Sequence, residues 1–194
     1  MERPDKIAIV DESRVRAAIV EEGLREAGYV RIVHIADTSQ LLAKLATHEP
    51  DVIVIGLENP SRDVLEQMFQ VSRVVRRPVA MFVDQSDTTM IEAAIEAGVS
   101  AYVVDGLKKE RVKPVLETSI VRYRAFAKLR DELEATKSQL EDRRTIDKAK
   151  ALLMQLKGIP EEEAYGLLRK TAMNESRKIV EVAQSVITAA EMFK

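Results

Sequence analysis

The sequence predicts an α/β protein: a doubly wound, five-stranded parallel sheet, then a long coiled-coil helix, then a C-terminal three-helix bundle. Three observations carry this. Short aliphatic runs alternate with segments of helical periodicity through the first part of the chain. Turn signals disappear after about Glu110. The last fifty or so residues hold three apolar faces at helical spacing, separated by glycine and proline.

The strands are expected at KIAIV (6–10), RIVHI (31–35), DVIVI (51–55), PVAMFV (78–83) and SAYVV (100–104). Between them lie helical patterns such as VRAAIVEEGLREAG (15–28), which ends on a glycine stop. The uninterrupted aliphatic runs of the first, third and fourth strands suit positions buried on both faces of a sheet. In open sheets of this kind, sites form beyond the carboxyl ends of the strands. The third strand ends on Gly56, a residue with no side chain where chemistry is expected.

Beyond Glu110, Phe126, Leu129, Leu133, Thr136 and Leu140 follow a 3-4-3-4 spacing with charged residues between them, a short heptad seam along which two chains can pair. The competing reading packs the seam against its own domain. In the bundle, the first helix runs to Lys157 and stops at Gly158. Pro160 and Glu161 to Glu163 start the second, and Asn174 or Ser176 caps the third. The expected core includes Ala149, Leu152, Leu153, Met154, Leu156, Leu168, Ala172, Met173, Ile179, Val182, Ala183 and Val186. The expected domains are therefore 1–118, a helical linker 119–143, and 144–194.

Composition limits the function classes. The 194 residues contain no cysteine and two distant histidines, His34 and His48, which excludes disulfides and thiolate metal sites and disfavours a histidine cluster. The absence of any long apolar run, and acids within the short N-terminal one, point to a cytoplasmic protein without a membrane span. Residues 1–121 carry 15 basic and 20 acidic side chains, and the remainder 15 basic and 12 acidic, so an acidic half precedes a basic half suited to an anionic partner.

Asp11 and Glu12 close the first strand, and PDVIVIGLENP, PVAMFVD and GVSAYVVDG frame the third, fourth and fifth. This part resembles the receiver domain of response regulators. That family transfers a phosphoryl group to an aspartate at the end of strand three, with Mg²⁺, a hydroxyl after strand four and a lysine after strand five. The resemblance places those three positions at Gly56, Val83 and Asp105. Gly56 offers no nucleophile, Val83 no hydroxyl, and Asp105 puts an anion where a cation is needed. Glu58, two residues on, lacks the same helpers. Asp11 and Glu12 alone make a poor metal site, so no metal and no cofactor is expected. The expectation is a receiver fold kept without its phosphorylation, and no enzyme. A plain structural reading makes Gly56 only a bend before a turn.

AKALLM (149–154), EEEAYGLLRKTAM (161–173) and SRKIVEVAQ (176–184) resemble the ANTAR domain, the RNA-binding module of antitermination regulators of the AmiR/NasT family. LENPSRD, MFVDQSD and AYVVDGL are similar to the nitrate-responsive NasT type. The resemblance implies a homodimer that binds two adjacent stem-loops of nascent leader mRNA so that a terminator does not form. It further implies control by a nitrate- or nitrite-sensing, NasS-like partner protein, with neither membrane nor DNA as a target. The alternative is a phosphorylation-dependent or DNA-binding response regulator. Candidate RNA contacts are Lys148, Lys150, Tyr165, Arg169, Lys170, Arg177 and Lys178, with Lys150, Arg177 and Lys178 foremost for phosphate. Against this, Lys148 and Arg169 also fit solvated helix faces, and Tyr165 fits a half-buried bundle position.

Overall fold

A computed structural model describes residues 6–58 and 60–192. Its elements run β1 (Lys6–Val10), α1 (Arg14–Glu26), β2 (Arg31–Ile35), α2 (Leu41–His48), β3 (Val52–Leu57), α3 (Arg62–Val74), β4 (Val79–Val83), α4 (Thr88–Glu96), β5 (Ala101–Val104), α5 (Lys109–Lys157), α6 (Glu161–Asn174) and α7 (Ile179–Met192). The five strands form one parallel sheet in the order β2-β1-β3-β4-β5. All five expected strands are present. The third, fourth and fifth strands each start one residue later than expected, and β3 continues through Gly56, which pairs with Phe82, to Leu57, so Gly56 lies inside the strand and not beyond its end.

The two-residue period of each strand sorts its side chains between two cores. Ala8, Val10, Ile53, Ile55, Met81 and Val83 face α2, α3 and α4, whose Leu45, Phe69 and Ala94 cover them. Ile7, Ile9, Val52, Val54 and Phe82 face α1 and the start of α5, covered by Val20, Leu24, Val112 and Leu116. Side-chain caps start the helices: Ser13 accepts from Arg16 N–H, Ser61 from Val64 N–H and Asp87 from Met90 N–H. The approach of α1 to α5 is close at Gly23, where a Cβ would stand 2.8 Å from the Lys109 carbonyl oxygen. Lys109 then ties the pair, 3.0 Å from Glu22 and 2.9 Å from Glu26.

The chain divides into two compact units, Met1–Ala127 and Lys128–Lys194, with α5 contributing to both. The second unit holds a helical bundle of α6, α7 and the end of α5. Ala149 from α5, Leu168 and Ala172 from α6, and Val182, Ala183 and Ile187 from α7 form its core. Gly158, at φ +66°, ends α5. The bundle departs from expectation at four points. Met154, Leu156 and Met173 are exposed instead of packed, because each lies on the outer side of its helix away from the Ala149–Leu168–Val182 seam. Asn174 is the last residue of α6 and caps nothing in α7. The α6–α7 turn uses Ser176 in the left-handed region at φ +52°, with Ser176 N–H donating to Met173 C=O and Arg177 N–H to Ala172 C=O, the Schellman closure. Lys178 takes the N-cap position of α7, and its backbone N–H donates to the Glu181 carboxylate.

Candidate functional site

The carboxyl end of the sheet holds a cleft of about 490 Å³ lined by Asp11, Glu12, Thr38, Gly56, Glu58, Ser61 and their neighbours. Of the five receiver positions, Asp11, Glu12 and Gly56 line it and Val83 and Asp105 do not. Val83 is buried in the core under α4, and Asp105 is exposed in a left-handed turn at φ +47°.

Strand period explains what fills the cleft floor. Asp11 follows Ile7 and Ile9 on the α1 face, and Gly56 follows Val52 and Val54 on the same face. On α1, Arg16, Val20 and Leu24 share one inward stripe, which puts a guanidinium where the helix presents apolar side chains one and two turns later. Arg16 Nε lies 3.2 Å from Asp11 Oδ2, and its Nη1 lies 3.2 Å from Asp84 Oδ2. Asp11 Oδ1 accepts from Ser13 N–H at 2.8 Å, and the Asp11 carbonyl is 2.9 Å from His34 Nε2. Burial pushes the Asp11 carboxyl above the ordinary carboxylate range, and the Ser13 N–H and the Arg16 charge pull it back down. Glu12 faces solvent and accepts from the Thr38 hydroxyl at 3.1 Å.

A Cβ built on Gly56 would fall on the Asp11 carboxylate and stand 3.2 Å from Arg16 Nη2. Gly56 is therefore the residue whose lack of a side chain admits the Asp11–Arg16 pair. The divalent ion implied by the receiver fold does not fit these residues. The Asp11 carboxylate is spent on Arg16 and on Ser13 N–H, and among the described residues no three His, Cys, Asp or Glu side chains are grouped to hold a metal. Arg16 is not among the cleft residues that sequence reasoning singles out. The signal that finds it is its i, i+4, i+8 alignment with Val20 and Leu24.

The second site is the basic surface of the bundle, and its cations divide into two sets. Lys150, only 15% exposed, is held 2.7 Å from Asp147 and 2.6 Å from Glu161. Those contacts raise its pKa and lower that of Asp147. Arg177 spans the α6–α7 turn, with Nη1 donating to Glu175 at 2.8 Å and Nη2 to Ser185 Oγ at 2.9 Å and the Glu181 carbonyl at 3.1 Å. Lys148 reaches Glu191 at 3.1 Å. By contrast, the side chains of Arg169, Lys170 and Lys178 make no ion pair or hydrogen bond among the described residues and face solvent. Tyr165, Arg169 and Met173 follow one another at four-residue spacing on the outer face of α6, where Met173 is 71% and Tyr165 41% exposed.

Along α5, Phe126, Leu129, Leu133 and Leu140 are all at least half exposed. Thr136, between them, spends its hydroxyl on the Glu132 carbonyl at 2.8 Å. No helix among the described residues is long and apolar enough to cross a membrane.

Comparison with known proteins matches both units. Residues 7–117 match the response regulator receiver domain and residues 134–187 the ANTAR domain. The transcriptional regulatory protein PdtaR of Mycobacterium tuberculosis is 24% identical over 95% of this chain and 90% of its own length. The nitrate regulatory protein of Klebsiella oxytoca is 36% identical, over 39% of this chain and 19% of its own length. Among solved structures, the receiver domain of a modulated diguanylate cyclase from Desulfovibrio desulfuricans covers 64% of this chain and 98% of its own at a TM-score of 0.53 and 15% identity, a likeness of fold alone. A receiver fold over residues 7–117 and an ANTAR domain over residues 134–187 make the chain a member of the receiver–ANTAR family of response regulators.

Proposed function

We propose that this chain is an RNA-binding transcription antiterminator that grips paired stem-loops of nascent leader mRNA and so prevents a terminator from forming. The observation that carries the reading is the outer face of α6. There Tyr165, Arg169, Lys170 and Met173 stand exposed, and neither cation is committed to an acid of the bundle. Free guanidinium and ammonium groups suit phosphates, and an exposed tyrosine offers a stacking surface to an unpaired loop base. Lys178, free at the start of α7, belongs to the same set. Lys148, Lys150 and Arg177 act first as bundle supports, since contact with phosphate costs each of them an ion pair already made.

The apolar seam of α5 supports a homodimer. An exposed Phe126–Leu129–Leu133–Leu140 stripe in water gains by pairing with its own copy. The first unit serves as a protein-contact domain controlled by a partner in place of phosphorylation, which suits a cleft with glycine at the acceptor position, Val83 at the hydroxyl position and Asp105 at the lysine position. The partial likeness to a nitrate regulatory protein supports nitrate or nitrite assimilation as the process served and a NasS-like sensor as the partner.

Gel shifts over a salt series on a double stem-loop RNA test this. Arg169→Ala and Lys170→Ala are each expected to weaken binding and to reduce the slope of log affinity against log salt by about 1. Equal affinity and slope for the double variant, or a preference for duplex DNA over the stem-loops, removes the assignment.

A further inference from the structure

We infer that Arg16 is the resident cation of the receiver cleft. Its guanidinium stands in for the divalent metal that this fold otherwise recruits, so the cleft binds no metal, and Gly56 is the residue that makes room for the exchange. The inference goes beyond the RNA-binding reading and does not depend on it.

Three observations converge. Asp11, the acid at the end of β1, is 3% exposed and has one oxygen on Arg16 Nε and the other on Ser13 N–H. Each oxygen of that carboxylate already carries a donor, and a divalent ion, which demands several oxygens at fixed geometry, would have to share it with the fixed charge of Arg16. The guanidinium also reaches Asp84 on the segment after β4, so one cation bridges α1, the end of β1 and the end of β4. The third is the fit of Gly56, where any side chain would collide with the Asp11 carboxylate and crowd Arg16 Nη2. The loss of the phosphoryl acceptor and the presence of an internal cation are thus one steric arrangement.

Removing the arginine leaves the buried Asp11 carboxylate unpaired, which is costly, beside Asp84, which at 42% exposure keeps part of its hydration. A divalent ion then becomes the natural replacement. The charge count also follows: Asp11 and Asp84 are offset in part by one fixed positive charge, and a second cation beside Arg16 meets its repulsion at contact distance.

The test uses the full-length chain, with Mn²⁺ as the probe in electron paramagnetic resonance titrations and Mg²⁺ in thermal unfolding. The wild type is expected to bind no Mn²⁺ saturably in the millimolar range and to unfold at one temperature in EDTA and in Mg²⁺. Arg16→Met, which keeps the packing volume and removes the charge, is expected to lower the unfolding temperature by about 10 °C and to regain part of it in Mg²⁺. Asp11→Asn in the Arg16→Met background is expected to recover most of the loss in EDTA and to abolish the Mg²⁺ response, a coupling that a merely space-filling arginine does not produce. Saturable Mn²⁺ binding by the wild type that Asp11→Asn removes overturns the inference, and it does so even if Arg16→Met fails to fold. An Arg16→Met protein that is as stable as the wild type and indifferent to Mg²⁺ overturns it equally.

Discussion

Gly56→Ala is the smallest change that tests the cleft, and ordinary propensity gives its sign wrongly. Glycine inside a strand costs about 0.5–1 kcal/mol relative to alanine, so replacement within β3 is nominally a gain. Here the added methyl carbon falls on the Asp11 carboxylate. That carboxylate is held on both sides, by Ser13 N–H at 2.8 Å and Arg16 Nε at 3.2 Å, and cannot swing away without breaking one of the two. Deleting one partner of a buried ion pair costs about 3–5 kcal/mol. In Gly56→Ala the carboxylate is displaced and not deleted, and Arg16, whose side chain keeps 12% exposure, retains Asp84. A net loss of about 2–3 kcal/mol is therefore expected. For a unit the size of Met1–Ala127 that is a fall of roughly 10 °C in the unfolding temperature. Circular dichroism through heat and urea unfolding measures it. If Gly56→Ala unfolds at or above the wild-type temperature, the glycine is only a bend and the steric argument fails.

Acetyl phosphate with Mg²⁺ is expected to leave the wild-type mass unchanged, since Gly56 has no nucleophile and Val83 no hydroxyl at the cleft; a single phosphoryl adduct on a cleft acid refutes this. Leu133→Asp, which removes two leucines from a symmetric seam and adds two charges, is expected to weaken dimerisation roughly a hundredfold in sedimentation equilibrium; an unchanged association constant returns the seam to its own chain. Ser176→Gly relieves a left-handed serine at φ +52° and is expected to stabilise the bundle by about 1 kcal/mol in urea unfolding. Three surface acids are held below the ordinary carboxylate range by their donors: Asp37 by Lys44 and then Ser39, Asp87 by Thr89 and then Met90 N–H, and Asp147 by Lys150. Their folded pKa values lie below the unfolded ones, so their stabilisation is complete above the unfolded value and is lost as pH falls through the folded values. The unfolding temperature is expected to drop on acidification below about pH 4, and Asp37→Asn to drop less steeply.

The sheet was legible because its signal is local and repeated. Ile7 to Val10, Val52 to Ile55 and Val79 to Val83 are buried on both faces and so are continuous in sequence. The same holds for Ala149, Leu168, Ala172, Val182 and Ala183, whose helical spacing alone gathers a core. Met154, Leu156 and Met173 were misplaced because hydrophobicity shows that a side chain gains from burial, not that the bundle has room on that side. The end of β3 was misread for a related reason. Glycine is a strand terminator by propensity, and pairing with Phe82 on the neighbouring strand overrides that.

The commitments of charged side chains were the least legible feature, and the proposed roles of both units rest on them. Lys150 and Arg177 look as free as Arg169 and Lys170 in the sequence, yet acids eleven positions away in one case and a helix turn in the other claim them. In the receiver unit, Arg16 reads as an ordinary surface arginine until its stripe with Val20 and Leu24 turns it inward toward Asp11. Reading the cleft as a list of losses, an acceptor gone at Gly56, a hydroxyl at Val83, a lysine at Asp105, leaves out the residue that was gained. With Arg16 in place, the missing side chain at Gly56 is a steric requirement, and restoring an aspartate there drives three carboxylates toward one guanidinium already shared by two. On the proposed reading the pocket is closed to phosphoryl chemistry by what occupies it as much as by what it lacks, and Gly56→Asp is expected to take no phosphoryl group from acetyl phosphate; an adduct on that aspartate refutes this.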